Sequence, residues 1–388
     1  MALRDDKGGF KYPGYNPLEV PNEPTSVAVS TGDASLGVSF TAPVISGGGT
    51  ITGYQVSTTT GASVTGSASP LTLTGLTNGT TYNVRVWALN SFGPGPYGTG
   101  SGSPAAPVGF VGGLDTTLNG TYNGIDKINI STTGNATDWA NLSVGGNQNS
   151  SCSSATRGVW AGGTGRLNVI DYITFSTQAN ATDFGNLNNN TAYGTGASNA
   201  TRGIFLRADE MMYITIASTG NSVVLGDIDS IRTSGSACAS PTRMIFAGGT
   251  GGNQTSEYVT IASTGTATNF GSISGFYANG SNGNVSSGVR GLFAGGGPSG
   301  GHSNVIKYVT IATTGSGADF GDLTASLANL GSCGSSTRGL FVAGAGSANS
   351  NVISYVTIAT TGNAADFGDI TIAEATFISG CSNSHGGL

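Results

Sequence analysis

Five arginines, Arg157, Arg202, Arg243, Arg290 and Arg338, recur at Thr-Arg-Gly-type turns with spacings of 45, 41, 47 and 48 residues. His385 follows Arg338 by 47 residues and is expected to take the sixth place, so that six basic groups ring one face. Such a ring has the chemistry to bind an anion or the acidic surface of a partner. Each arginine could instead be held internally, by a carboxylate or carbonyl near the segments where Asp138, Asp183, Asp319 and Asp366 recur. The internal pairing is the expectation.

Little else in the chain suits catalysis. His302 and His385 make no metal-ligand spacing with Cys or Asp, so no metal site is nominated. Asp209, Glu210 and Glu257 are scattered through what read as connecting loops, and no glycosidase pair emerges. The run Gly248-Gly249-Thr250-Gly251-Gly252 lacks the Lys-Ser/Thr ending of a phosphate loop. Cys152, Cys238 and Cys333 each precede a repeat arginine by five residues, and Cys381 precedes His385 by four. The matching positions elsewhere are Ala197 and Val285, which marks a small apolar packing site rather than two disulfides. A non-enzymatic protein without cofactors is expected.

The elements that must position these residues are strands. Charged residues make up 9% of the 388, and glycine alone contributes 66. Such a chain favours strands and tight turns over helices. From residue 108 onward, units of about 47 residues repeat. Each has an aromatic strand such as Gly291-Leu292-Phe293-Ala294-Gly295-Gly296 and a second strand such as Tyr308-Val309-Thr310-Ile311. A third follows, of the type Asp319-Phe320-Gly321-Asp322, and then a strand of small residues such as Gly331-Ser332-Cys333-Gly334. Four short strands per unit make the blade of a β-propeller. Segment 108–143 supplies three strands and segment 377–386 the fourth, so the count closes at six blades with the C-terminal strand beside residues 108–113. The units resemble kelch-type blades in the aromatic strand ending in Gly-Gly, the Tyr-containing strand and the aromatic ahead of the small-residue strand.

Between Pro24 and Pro107 the chain alternates with period two, as in Ile51-Thr52-Gly53-Tyr54-Gln55-Val56 and Tyr82-Asn83-Val84-Arg85-Val86-Trp87-Ala88. These strands, with Leu76 and Tyr82 at the places of a tyrosine corner and Gly93-Pro94-Gly95 after them, resemble a fibronectin type III domain. Phe40 stands where that family usually has Trp. The resemblance implies a spacer or ligand-binding module and names no ligand. The expected fold class is all-β, a fibronectin type III-like sandwich over 24–107 and a six-bladed kelch-like propeller over 108–388.

Residues 1–23 carry seven charges and the aromatics Phe10, Tyr12 and Tyr15, and read as an extended arm that docks onto a partner. The net charge of −6 supplies no basic stripe for nucleic acid, and no stretch is apolar enough for a membrane span. Charges near the N-terminus occupy the place of a secretory signal's apolar stretch. Taken with the modules, these features resemble bacteriophage head-decoration, tail or baseplate proteins. That resemblance implies synthesis in a host cytoplasm, location in the virion and other virion proteins as partners of the arm. The loops after the aromatic strands, with Asp209, Glu210, Glu257 and His302 as candidate contacts, vary while the arginine turns are uniform. The variable face is therefore expected to bind, with host-surface saccharide as the ligand. The alternative is a bacterial surface or secreted lectin-like adhesin.

Overall fold

The computed structural model describes residues 3–4, 10–11, 19–114, 123–164, 168–190, 194–232, 234–249, 254–274, 276, 283–297, 301–347, 349–373 and 375–388. All regular secondary structure among them is β, and the chain divides into two compact units between Ala106 and Pro107.

The first unit is a sandwich. Thr25–Gly32, Ser35–Thr41 and Leu71–Thr74 form one sheet, and Ser63–Gly66, Gly53–Thr58, Tyr82–Asn90 and Gly93–Gly102 the other. Alternation places Val84, Val86 and Ala88 against Leu36, Val38, Tyr54 and Val56 in one core. Phe40 is buried with its ring centroid 4.8 Å from that of Tyr54, so the smaller aromatic fills the site by tilting onto its neighbour. The Tyr82 hydroxyl accepts a hydrogen bond from the Thr77 amide at 3.0 Å, which ties the corner together. Ahead of the sandwich, Leu3–Arg4 pairs antiparallel with Phe10–Lys11. Tyr12 and Tyr15 lie outside the described residues.

The second unit is a ring of six antiparallel sheets. Their innermost strands are Ser379–Ser382 in blade 1, then Ser150–Ser153, Thr195–Ser198, Ser236–Ala239, Gly283–Ser286 and Gly331–Gly334 in blades 2 to 6. Each packs beside the next and the sixth beside the first, so the ring is closed. Blade 1 is composite, because Ser379–Ser382 pairs with Val108–Leu114 across most of the chain's length. Blade 3 has the tightest hairpin. Arg202–Thr215 runs through it as one continuous strand that turns at Ala208, whose φ is 54°, and brings the Ile216 amide back to the Thr201 carbonyl.

Blades bury their faces against one another. One core unites Val111, Ile128 and Ile130 of blade 1 with Leu340, Val342 and Ile353 of blade 6. No single blade can bury such a face by itself, which is why the array is stable only as a closed set.

Candidate functional site

Each repeat arginine is locked between two blades. Its guanidinium lies over a tyrosine of its own blade, with Arg157 over Tyr172, Arg202 over Tyr213, Arg243 over Tyr258, Arg290 over Tyr308 and Arg338 over Tyr355, at 4.1–4.8 Å from the ring centroid. The same group donates to carbonyls of the next blade, those of Ile216 and Ala217, Ile261, Ile311 and Ala312, Ile358 and Ala359, and Ile130 and Ser131 in turn, at 2.7–3.3 Å. The carbonyls belong to the end of the neighbour's second strand, not to the third-strand region expected from the aspartates. Asp138, Asp183, Asp319 and Asp366 are exposed on outermost strands, where Asp319 pairs with Lys307 at 3.0 Å. A guanidinium stacked on a tyrosine of its own blade and donating through one amino group to one or two carbonyls of the next is a staple between blades.

His385 does not join this ring. The register that pairs Arg157 with Thr174 pairs Val108 with Asn129, so Val108 holds the sixth place. In the other five blades the arginine amide donates to Ser154, Asn199, Ser240, Ser287 or Ser335, three residues earlier. In blade 1 the Val108 amide donates to Asn383 at 2.9 Å, and the same turn is made by two distant parts of the chain. Without a covalent onward connection, the chain after Asn383 is free to turn inward. His385 Nε2 donates to the Ser153 carbonyl at 3.0 Å, and Nδ1 accepts from the Gly387 amide at 3.1 Å. Burial lowers its pKa to about 4, so the ring is neutral near pH 7.

The tail thereby stops the axial channel at the arginine face. Ser153, Ser198, Ser286 and Ser382 each pass a hydroxyl to a carbonyl of the preceding blade, those of Ser382, Ser153, Ala239 and Gly334. Ala239 and Gly334 hold the matching positions of blades 4 and 6 and have no hydroxyl. Beside blade 6 the tail substitutes, with the Gly386 amide donating to the Ser286 carbonyl at 3.1 Å.

Above this floor the channel is lined by Ser, Gly, Ala and Cys residues of the innermost strands, with Asn284 and Val285 from blade 5. The four cysteines are free and buried, and burial pushes their pKa up, for Cys333 to about 12. They belong to an interlock. A β-carbon built on Gly109, Gly158, Gly203 or Gly291 would lie 2.2–2.7 Å from the sulfur of Cys333, Cys381, Cys152 or Cys238 in the preceding blade, and one on Gly339 would lie 2.4 Å from Val285. At the sixth interface the sizes are exchanged, and Met244 packs with Ala197.

The opposite face carries the variable loops. Asp209 is exposed at the blade 3 hairpin, and Glu210 accepts from Asn189. His302 is exposed. Glu257 is not on a loop. It is buried in Thr255–Thr260 and accepts from the Asp229 amide of blade 3 at 3.0 Å. Asp171 and Asp126 do the same work, accepting from the amide and hydroxyl of Ser143 and Thr371. Burial raises the Asp126 pKa against the lowering effect of those two bonds.

Where the channel opens on this face, Asn149, Ser150, Thr195, Asn284, Ser332 and Ser379 are among its lining. Sequence reasoning missed this cluster. Its signal is the run Asn147-Gln148-Asn149-Ser150, which interrupts the small-residue pattern in blade 2 alone. Among the described residues no three His, Cys, Asp or Glu side chains are placed to hold a metal ion, and no helix is long and apolar enough to cross a membrane.

The fibronectin type III domain family matches residues 22–101 of the chain. No curated protein matches the sequence. Among solved structures the chain is similar to one described as "Structure of YjhT", with 9% identity and a TM-score of 0.49, covering 60% of this chain and 86% of that one.

Proposed function

We propose that the chain is a non-enzymatic structural component of a bacteriophage particle, in the head decoration, tail or baseplate. In this reading it is attached through its N-terminal arm and turns a kelch-like propeller toward saccharides of the host surface. The observation that carries the binding half is the inequality of the two faces. On the arginine face the cations are engaged between blades and the tail stops the axis. On the other face the loops differ from blade to blade and an uncharged, hydroxyl- and amide-lined channel opens. Diversity on a rigid frame is how such folds acquire ligands. Few charges and many hydroxyl and amide groups suit contacts with neutral sugars.

The structural half is supported by the arm, with seven charges and three aromatics in 23 residues ahead of a nearly uncharged sandwich. Virion location and partnership with other virion proteins belong to the same reading. The test is co-sedimentation of the chain with purified particles, with and without residues 1–23, beside a glycan array probed with the full chain. Particle association that is lost on removing the arm, together with saccharide binding, supports the reading. Saccharide binding without particle association transfers the protein to the surface-adhesin class, and association unchanged by the deletion refutes the role of the arm.

A further inference from the structure

The sandwich has a single arginine, and it is held differently from those between the blades. From Thr25 to Pro107 the only charged residues are Asp33 and Arg85. Asp33 lies at the turn between Thr25–Gly32 and Ser35–Thr41, where it accepts from Asn78 Nδ2 at 2.9 Å. Arg85 lies in Tyr82–Asn90. Val84 and Val86 of that strand are in the core, so Asn83, Arg85 and Trp87 take the outer face of the sheet. Opposite them on the edge strand Gly93–Gly102 stand Ser101, Thr99 and Tyr97. The Arg85 guanidinium lies over the Tyr97 ring at 4.8 Å, and the Trp87 ring leans on Tyr97 at 5.4 Å with a tilt of 60°. The propeller arginines share this aromatic contact but also donate to carbonyls of a neighbouring blade. Among the described residues neither an acceptor nor a carboxylate meets Arg85. A ring thus fixes the guanidinium while its N–H groups are left to solvent or a ligand.

The surroundings select that ligand. Arg85, Tyr97, Thr59, Asn83, Thr99 and Ser101 line a solvent-open hollow of about 460 Å³ on this face, room enough for one ring-sized molecule. No carboxylate lines it, and the planar fork of a guanidinium matches a carboxylate ligand. The side chains of Thr59, Asn83, Thr99 and Ser101 make no hydrogen bond among the described residues. The cross-strand pair Arg85–Thr99 stands two residues from Asn83–Ser101, a separation of roughly 7 Å. The Thr59 amide donates to the Asn83 carbonyl, which sets Thr59 beside that second pair. A carboxylate on Arg85 therefore leaves the rest of its molecule over hydroxyl and amide groups. A ring that bears one carboxylate and several hydroxyls meets both requirements.

We propose that the outer face of the sandwich binds a uronic acid unit of an acidic glycan, with its carboxylate on Arg85 and its ring hydroxyls over Thr59, Asn83 and Ser101. The site belongs to the first unit and stands apart from the saccharide reading of the propeller.

The test uses the full chain and Arg85→Gln, with binding read by ligand-observed NMR titration. The probes are methyl α-glucuronoside, methyl α-galacturonoside, their neutral hexoside counterparts, acetate, and an acetylated Asp-Glu dipeptide amide. At least one uronoside is expected to bind about five- to tenfold more tightly than its neutral counterpart, the value of one charge-assisted pair at a partly exposed site. That preference should shrink severalfold on raising the salt to about 1 M. In Arg85→Gln it should disappear, with a melting temperature within about 3 °C of the parent's, since Arg85 holds only a ring contact in the fold. Equal binding of uronoside and neutral hexoside overturns the site. A preference that survives Arg85→Gln belongs elsewhere on the chain and overturns it too. Acetate binding as tightly as the uronosides removes the role of the ring, and tighter binding of the dipeptide assigns the face to a protein partner instead. Either result overturns the proposal.

Discussion

Adding one methyl group at Gly291 should unseat a blade interface, and removing one sulfur opposite should reseat it. A β-carbon on Gly291 would lie 2.2 Å from Cys238 Sγ, 3.4 Å from Cys238 Cβ and 3.6 Å from Ile311 Cγ1. Ordinary contacts begin near 3.5 Å, so the sulfur would have to retreat by roughly 1 Å in an interior without spare volume. Gly291→Ala is therefore expected to cost about 2 kcal/mol, within the usual range for overpacking. Cys238→Ala alone leaves a small void and costs about 1 kcal/mol. In the double variant the added methyl meets only the carbon atoms at 3.4 and 3.6 Å and occupies part of the vacated space. It should lie within about 0.5 kcal/mol of the parent, which makes the coupling about 2–3 kcal/mol in favour of the pair. Thermal unfolding of the full chain, followed through the propeller tryptophans Trp139 and Trp160, reads this as a fall of about 4 °C for Gly291→Ala that the second substitution reverses. A double variant as unstable as the sum of the singles would refute the interlock. The exchanged interface offers the same cycle in reverse, with Met244→Gly rescued by Ala197→Cys.

Four further outcomes are expected. All four thiols should react with a thiol reagent in denaturant without reductant and none rapidly in the native state, and finding two or fewer would show disulfides. His385 has its pKa lowered to about 4 from an ordinary 6.5, so the unfolded chain binds the proton first as pH falls, and stability should be constant above about pH 7 and decline between about 6.5 and 4. That contribution is about 1–2 kcal/mol after allowing for partial exposure, and His385→Asn should lack it in urea titrations at pH 7 and 4.5. Arg338→Ala removes two bonds to blade 1 and a ring contact, and should lower stability by about 2 kcal/mol while leaving any saccharide affinity unchanged, whereas a loss of affinity would return the arginine face to consideration. Deleting residues 377–388 exposes the edge of Val108–Leu114 and should replace one cooperative propeller transition by a broad one at lower temperature. An unchanged transition would remove the closure argument.

The repeats made the ring legible because every blade must solve the same packing problem, so small residues recur on the innermost strand and aromatics on the next. The cysteines could be read as packing because Ala197 and Val285 stand in their register. The reciprocal half was also present, as a glycine after four of the five arginines and Met244 after the fifth, but its meaning depends on which blade lies opposite. The arginine partners were not legible, since a backbone carbonyl leaves no mark on residue type. Their tyrosines were more accessible, because blade 1 has Val108 and Lys127 where the others have Arg and Tyr. Glu257 was misread because a charged residue in a strand resembles a loop residue until the neighbouring amide of Asp229 is in view. Spacing misplaced His385 for a simple reason. A repeat constrains the chain only while another strand must follow.

The turn shared by Asn383 and Val108 makes the propeller a circle with a cut in it. In the other blades two residues separate the accepting side chain from the donating amide, as Ala155 and Thr156 separate Ser154 from Arg157. A two-residue bridge from Asn383 to Val108 would therefore join the ends in the geometry of the remaining turns. A new opening at Gly288 and Val289, between Ser287 and Arg290, would give a permuted chain whose composite blade is the fifth. Such a molecule would also lack residues 384–388. Its axis would run open from one face to the other, and the ring would become a pore about as wide as the small side chains of its inner strands allow.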